Sequence, residues 1–167
     1  MRPSGIVLCL LGLAACHAGR SDVPAAGGPD FSGLAWVEGA PDLAGKVLLV
    51  RWWTSDCPLC SGSSPALGRL AAKVPLVAVY HSRPRRPVSA DEVAGLARKA
   101  GMPGILAVDP DGSVLDRWAP PETRESTLLT FLLDAHARIR YVHPGGLLEP
   151  EDEYHLAQRI EALLAEK

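Results

Sequence analysis

Cys57 and Cys60 stand close together in the stretch RWWTSDCPLCSGSSP, residues 51–65, with only Pro58 and Leu59 between them. Two intervening residues let one helical turn bring two sulfurs together. Three kinds of chemistry use such a pair. As a redox dithiol, the first thiolate attacks a partner disulfide and the second resolves the mixed disulfide. As half of a metal site, the pair needs further ligands, because a structural zinc wants four. As a static disulfide it would only brace the chain, and closing so short a loop gains little entropy. Pro58 removes a donor N–H and the Leu59 side chain offers none. The dipeptide therefore does not fix a redox poise, which in C-x-x-C proteins spans about −270 to −120 mV.

The metal reading lacks partners. There is no second C-x-x-C, and His81, His136, His143 and His155 are scattered. His143, placed after a strand, is the candidate ligand for a copper-delivery role. No methionine-rich or histidine-rich tract accompanies it. Asp56, beside Cys57, opposes thiolate formation if it lies close. Arg51 cannot act as a base at ordinary pH, and near the thiols its charge would favour thiolate.

The elements around the pair decide its context. Val47 to Trp53 is short, apolar and β-branched or aromatic, the pattern of a buried central strand. After the cysteines, Ser63 or Ser64 can cap a helix with Pro65 in its first turn and Leu67, Leu70, Ala71 and Val74 at helical spacing. Leu76–Tyr80 reads as a second buried strand. His81–Pro87 is a loop holding Arg83, Arg85 and Arg86, read as a solvated surface. Ser89–Glu92 is a capping box opening a helix with Val93, Leu96, Ala97 and Ala100 on one face and Gly101 at its stop. Ile105–Val108 is a strand ended by the turn Asp109–Gly112, and Val114–Trp118 is a short helix or an extended segment. Thr127–Leu133 and Arg138–Val142 form a hairpin that stops at His143–Gly146. A last helix starts near Pro150 and carries Leu156, Ile160, Leu163 and Leu164 on one stripe. Trp52 and Trp118 are packing residues. Strands alternating with helices predict a central sheet covered on both faces. A C-x-x-C that follows a buried strand and opens a helix is the context a redox pair requires.

The N-terminus sets the remaining cysteines apart. Arg2 precedes an apolar run, Ile6–Ala15. That run is shorter than the roughly 20 residues a bilayer span needs, and it suits a signal-peptide core. It ends in Leu13-Ala14-Ala15-Cys16, which resembles the bacterial lipoprotein signal and implies cleavage before Cys16 with lipid on its sulfur. Residues 1–15 are then a signal peptide and 16–30 a Gly-, Ala-, Pro- and Ser-rich tether reaching roughly 20 Å. A domain covers residues 31–167. Cys9 leaves with the signal, so the folded part keeps Cys57 and Cys60 alone, in a compartment where disulfides persist. The 167 residues suffice for one core. Apolar content of 47% and charged content of 22% are ordinary for a globular chain, and a net charge of −2 gives no sign of a nucleic-acid partner.

From about Leu43 onward the chain resembles the thioredoxin superfamily, in particular its membrane-tethered TlpA/ResA-like branch. The resemblance rests on GKVLLVRWWTSDCPLC, LVAVY, a helix before GILAVDPDG, and TFLLDAHARIRYVHPGG before the last helix. It implies an α/β, thioredoxin-like fold: a mixed sheet of four or five strands flanked by helices on both faces. It further implies thiol–disulfide exchange, with Cys57 as the exposed attacking thiol, Cys60 as the buried resolving thiol and Trp53 at the flanking aromatic position. Implied partners are a protein thiol or disulfide client and a membrane electron donor or acceptor, with no cofactor beyond the redox-active disulfide. Two positions depart from the family. Leu128, next to Thr127, stands where a cis-proline normally faces the thiols, and Arg51 stands where thioredoxins carry a buried acid. A peroxidase variant of the fold would need a peroxide-polarising arginine, for which Arg51 and Arg124 are the candidates. A binding lipoprotein with inactive or metal-binding cysteines is the other class. His17 after Cys16 is not the aspartate of inner-membrane retention, so family analogy points to the periplasmic face of the outer membrane.

Overall fold

A computed structural model describes residues 29–82, 86–123 and 128–166. Its centre is β2 (Leu48–Trp53), all six of whose residues are buried. β2 lies parallel to β3 (Leu76–Tyr80), which lies parallel to β4 (Ile105–Val108). On its other side β2 runs antiparallel to β5 (Leu129–Leu133), which pairs antiparallel with β6 (Ile139–Pro144). A two-residue strand, β1 (Ala35–Trp36), closes the far edge against β4. The order is β1-β4-β3-β2-β5-β6. The mixed sheet is as expected, but it has six strands where four or five were predicted. β1 is too short to leave a periodic signal.

Alternation along β2 divides the interior. Leu48, Val50 and Trp52 join a core with Phe131 and with Val114, Leu115 and Trp118 of α4 (Ser113–Trp118). Trp52 meets Trp118 and Phe131 edge to face, with ring centres 4.9 and 5.3 Å apart, as expected of packing residues. Leu49 and Trp53 face the other core. That core is filled from α2 (Ser64–Ala71), α3 (Ala90–Ala100) and α5 (Pro150–Ala165). Arg51 lies on this second face by the same alternation, and it is fully buried.

Several boundaries differ from the sequence reading for identifiable reasons. The motif helix is two helices: α1 (Pro58–Gly62) and α2, joined at Ser63. Pro65 has no N–H to give to the carbonyl four residues earlier, so the ladder is interrupted there. Ser63 occupies the N-cap position of α2 but makes no side-chain cap. Ser89 does cap α3, through the Glu92 N–H at 3.2 Å, but the Glu92 carboxylate turns to Arg86 instead of completing the box. β6 runs through His143 and Pro144, beyond the predicted stop, because both still pair with β5. On α5, Leu156, Ile160 and Leu163 are buried while Leu164 points outward. Val114–Trp118 is helical.

The β5–β6 turn lacks glycine, and Ala137 takes the left-handed conformation with φ 58°. Asp134 makes this tolerable. Its buried carboxylate accepts the backbone N–H groups of His136 (2.9 Å) and Arg138 (3.0 Å), and the guanidinium of Arg138 at 2.7 Å. Burial opposes the charged form, but these bonds and one from Arg140 outweigh it, so the carboxyl titrates below its ordinary value. A depressed carboxyl contributes stability above the ordinary carboxylate range that disappears as pH falls through the folded value. Asp134→Ala is therefore expected to cost about 1–3 kcal/mol at neutral pH. In urea unfolding, its deficit against the parent should shrink as pH drops below roughly 4.

Candidate active site

The site is built where β2 ends at the sheet edge. After Trp53 the chain turns through Thr54–Asp56, and Cys57 becomes the N-cap of α1 with extended backbone. Its Sγ accepts the Cys60 N–H at 3.1 Å, as an N-cap side chain does. Pro58 stands in the first turn, where a missing N–H costs nothing. Cys57 and Cys60 are joined in a disulfide, their Cα atoms 5.4 Å apart. Cys60 belongs to the core at 1% exposure, whereas Cys57 is partly exposed at its border.

The pair has two walls. On one side a cleft of about 330 Å³ opens between Thr54, Ser55 and Asp56 and the α3 residues Leu96 and Lys99. On the other lies Gly146. A Cβ at Gly146 would sit 3.1 Å from the Cys57 Sγ, 3.1 Å from Leu128 Cδ1 and 3.4 Å from the Leu59 Cβ. A side chain here would have to push the sulfur or Leu128 aside by a few tenths of an ångström. Leu128, which the resemblance sets where a proline is expected, reaches the site: its side chain shares the Gly146 contact with Cys57, and its carbonyl accepts the Gly145 N–H at 2.8 Å. Leu59 stands out into solvent at 56% exposure.

Beneath the loop is Arg51. Its Nη1 donates to Thr130 Oγ1 at 2.7 Å and to the Gly145 carbonyl at 2.9 Å, and its Nη2 donates to the Gly146 carbonyl. Burial lowers its pKa to about 10, which leaves it charged at neutral pH. Ser63, read as a helix cap, instead donates from Oγ to the Gly146 carbonyl and accepts the Leu148 N–H, both at 2.8 Å. Trp53 is wholly buried, edge to face with Tyr80 at 5.0 Å, and Tyr80 in turn hydrogen-bonds Ser55 at 3.1 Å. It supports the turn before Cys57 from inside.

Cys16, Arg124 and Thr127 lie outside the described residues. So do Arg83 and Arg85, while Arg86 is exposed and paired with Glu92. His143 is buried on β6 with Nδ1 3.7 Å from Asp152. Among the described residues no three His, Cys, Asp or Glu side chains gather as a metal set. Ser63 and Gly146 are the functional positions the sequence reading passed over. A Gly-Gly pair after a strand signals a stop, and only the folded contact shows what it approaches.

No family model matches the chain. A thiol:disulfide interchange protein DsbE homolog of Paracoccus denitrificans is 32% identical over 123 residues, 71% of this chain and 62% of the relative. The chain thus spans less than two thirds of that relative's length. A thiol-disulfide isomerase from Corynebacterium glutamicum superposes with a TM-score of 0.62 at 19% identity, covering 80% of this chain and 92% of the other. The pneumococcal exposed lipoprotein thioredoxin Etrx1 from Streptococcus pneumoniae superposes at 0.58 with 22% identity, covering 78% and 97%. The fold is the thioredoxin-like one shared with these solved structures. The C-x-x-C stands at the end of a central strand and the start of a helix.

Gly146→Ala tests the loop contact. Its backbone is not in the left-handed region, so the effect is steric. The added methyl should slow alkylation of reduced Cys57 by roughly tenfold, about 1.4 kcal/mol in the barrier. The thermal midpoint should fall by only a few degrees, read by circular dichroism.

Proposed function

We propose that this protein is a thiol–disulfide oxidoreductase held at the periplasmic face of a bacterial membrane by lipid on Cys16. The observation that carries the reading is the Cys57–Cys60 disulfide itself: one sulfur partly exposed beside a cleft, the other buried behind it. That asymmetry supports one order of events. In the reduced protein the Cys57 thiolate attacks one sulfur of a client disulfide, and a client thiolate leaves. The Cys60 thiol, losing its proton, then attacks the Cys57 sulfur. The Cys57–Cys60 bond forms, the second client sulfur departs, and two electrons have passed to the client. Run backwards, the same steps oxidise a client dithiol.

The DsbE name of the relative supports interchange chemistry, and the TlpA/ResA resemblance favours the reducing direction. A membrane electron donor would then return the pair to its dithiol form. No helix among the described residues is long and apolar enough to cross a membrane, so in this reading the anchor is the lipid, the Gly- and Ala-rich tether follows it, and outer-membrane placement follows the family analogy.

Insulin reduction with dithiothreitol as the electron source tests the chemistry. The parent should accelerate turbidity. Cys57→Ser should abolish the effect, and Cys60→Ser should accumulate a mixed disulfide visible on non-reducing gels. A parent protein with no activity above background would overturn the proposal. For the anchor, Cys16→Ala should move the protein from the membrane pellet to the soluble fraction, and globomycin should block processing of the parent.

A further inference from the structure

Arg51 is more than a filler of the core. A guanidinium taken out of water normally rests on a carboxylate, because an uncompensated buried charge is costly. Arg51 is fully buried, and all three of its acceptors are neutral: the Thr130 hydroxyl and the carbonyls of Gly145 and Gly146. Among the described residues its Nε has no hydrogen-bond partner. The cation nonetheless keeps its proton at neutral pH. One residue separates it from the redox pair, since the residue whose carbonyl it holds, Gly146, packs directly against the Cys57 sulfur.

Other charges at the sulfur do not supply a clear bias. Among the described residues the cleft beside Cys57 is lined by Asp56 from its own turn and Lys99 from α3, of opposite sign and both toward solvent. Solvent screens such groups, while a buried charge acts through protein with little attenuation. On the dry side, Arg51 is the charge bonded to the loop against the sulfur, while buried Asp152 of α5 stands 3.7 Å from His143 on β6.

We propose that Arg51 is a positioning and redox-tuning residue, which holds the Gly145–Gly146 loop against Cys57 and stabilises the thiolate that appears when the disulfide is reduced. The proposal rests on the oxidoreductase reading. Reduction takes two electrons from a dithiol donor and cleaves the sulfur–sulfur bond. Cys60 takes up one proton as a thiol, and Cys57 remains a thiolate whenever the pH exceeds its pKa. A cation that favours that thiolate favours the reduced protein, and so makes the couple a stronger oxidant. Where the superfamily's buried acid would disfavour a neighbouring thiolate, this chain has the opposite charge.

Three variants separate charge from scaffold. Arg51→Gln keeps an amide donor for the Gly146 carbonyl without the charge, Arg51→Met removes both, and Arg51→Lys keeps the charge. For each, circular dichroism reports folding and the pH dependence of iodoacetamide alkylation gives the Cys57 pKa. Equilibration with glutathione, read by mass spectrometry, gives the potential. The neutral variants should raise the Cys57 pKa by about one unit and shift the glutathione equilibrium about tenfold toward the disulfide, equal to about 30 mV. Lysine should stay near the parent. Unchanged pKa and equilibrium in a folded neutral variant would overturn the proposal. So would a lysine variant shifted as far as glutamine, or folding lost in both neutral variants, which would make Arg51 purely structural. A parent protein that alkylates but never exchanges with glutathione would instead sink the oxidoreductase reading, because the thiol pKa is measured independently of exchange.

Discussion

The carbonyl oxygens of Gly145 and Gly146 point inward, past the end of β6, toward a strand that is not their neighbour in the sheet. Arg51 on β2 and Ser63 between α1 and α2 donate to them. These few bonds join three parts of the fold that the chain reaches at very different times: the central strand, the motif helix and the segment entering α5. The sulfur of Cys57 is seated against the loop so fixed. Without the donors, the buried Gly146 carbonyl and the part-buried Gly145 carbonyl would lose these partners, and the wall nearest the sulfur would be held by the Gly145 N–H on Leu128.

The same constraint explains the residue types nearby. Glycine suits position 146 because a Cβ there would crowd the Cys57 sulfur at 3.1 Å. The Leu128 carbonyl accepts the Gly145 N–H, which ties the loop to the start of β5. Trp53 and Tyr80 stiffen the turn from below, leaving Leu59 as the exposed apolar group beside Cys57. The result is a sulfur with a fixed apolar and backbone wall on one side and an open cleft with mixed charge on the other.

Much of this was legible in the sequence. β3, β4 and the helix from Pro150 are found at their predicted positions, because each is a continuous run with one dominant period and clear turn residues at its ends. The pairing of Cys57 with Cys60 followed from spacing and context. What could not be read is what depends on contacts far apart in the chain. Among the described residues β1 pairs in the sheet with β4 alone. Ser63 carries the composition of a cap, yet its hydroxyl is drawn to a carbonyl 83 residues away. Arg51, in a run of strand-forming residues, carries no local sign of its acceptors in the loop after β6.

The chemistry assigned to the pair stands on its being reversible. Equilibration of the purified protein against dithiothreitol and glutathione buffers, followed by alkylation and mass measurement of the Cys57–Cys60 peptide, tests this most directly. The expected result is a single two-electron transition with a midpoint between about −270 and −120 mV. A disulfide that stays closed throughout that window, or two thiols that never join within it, would contradict the oxidoreductase assignment.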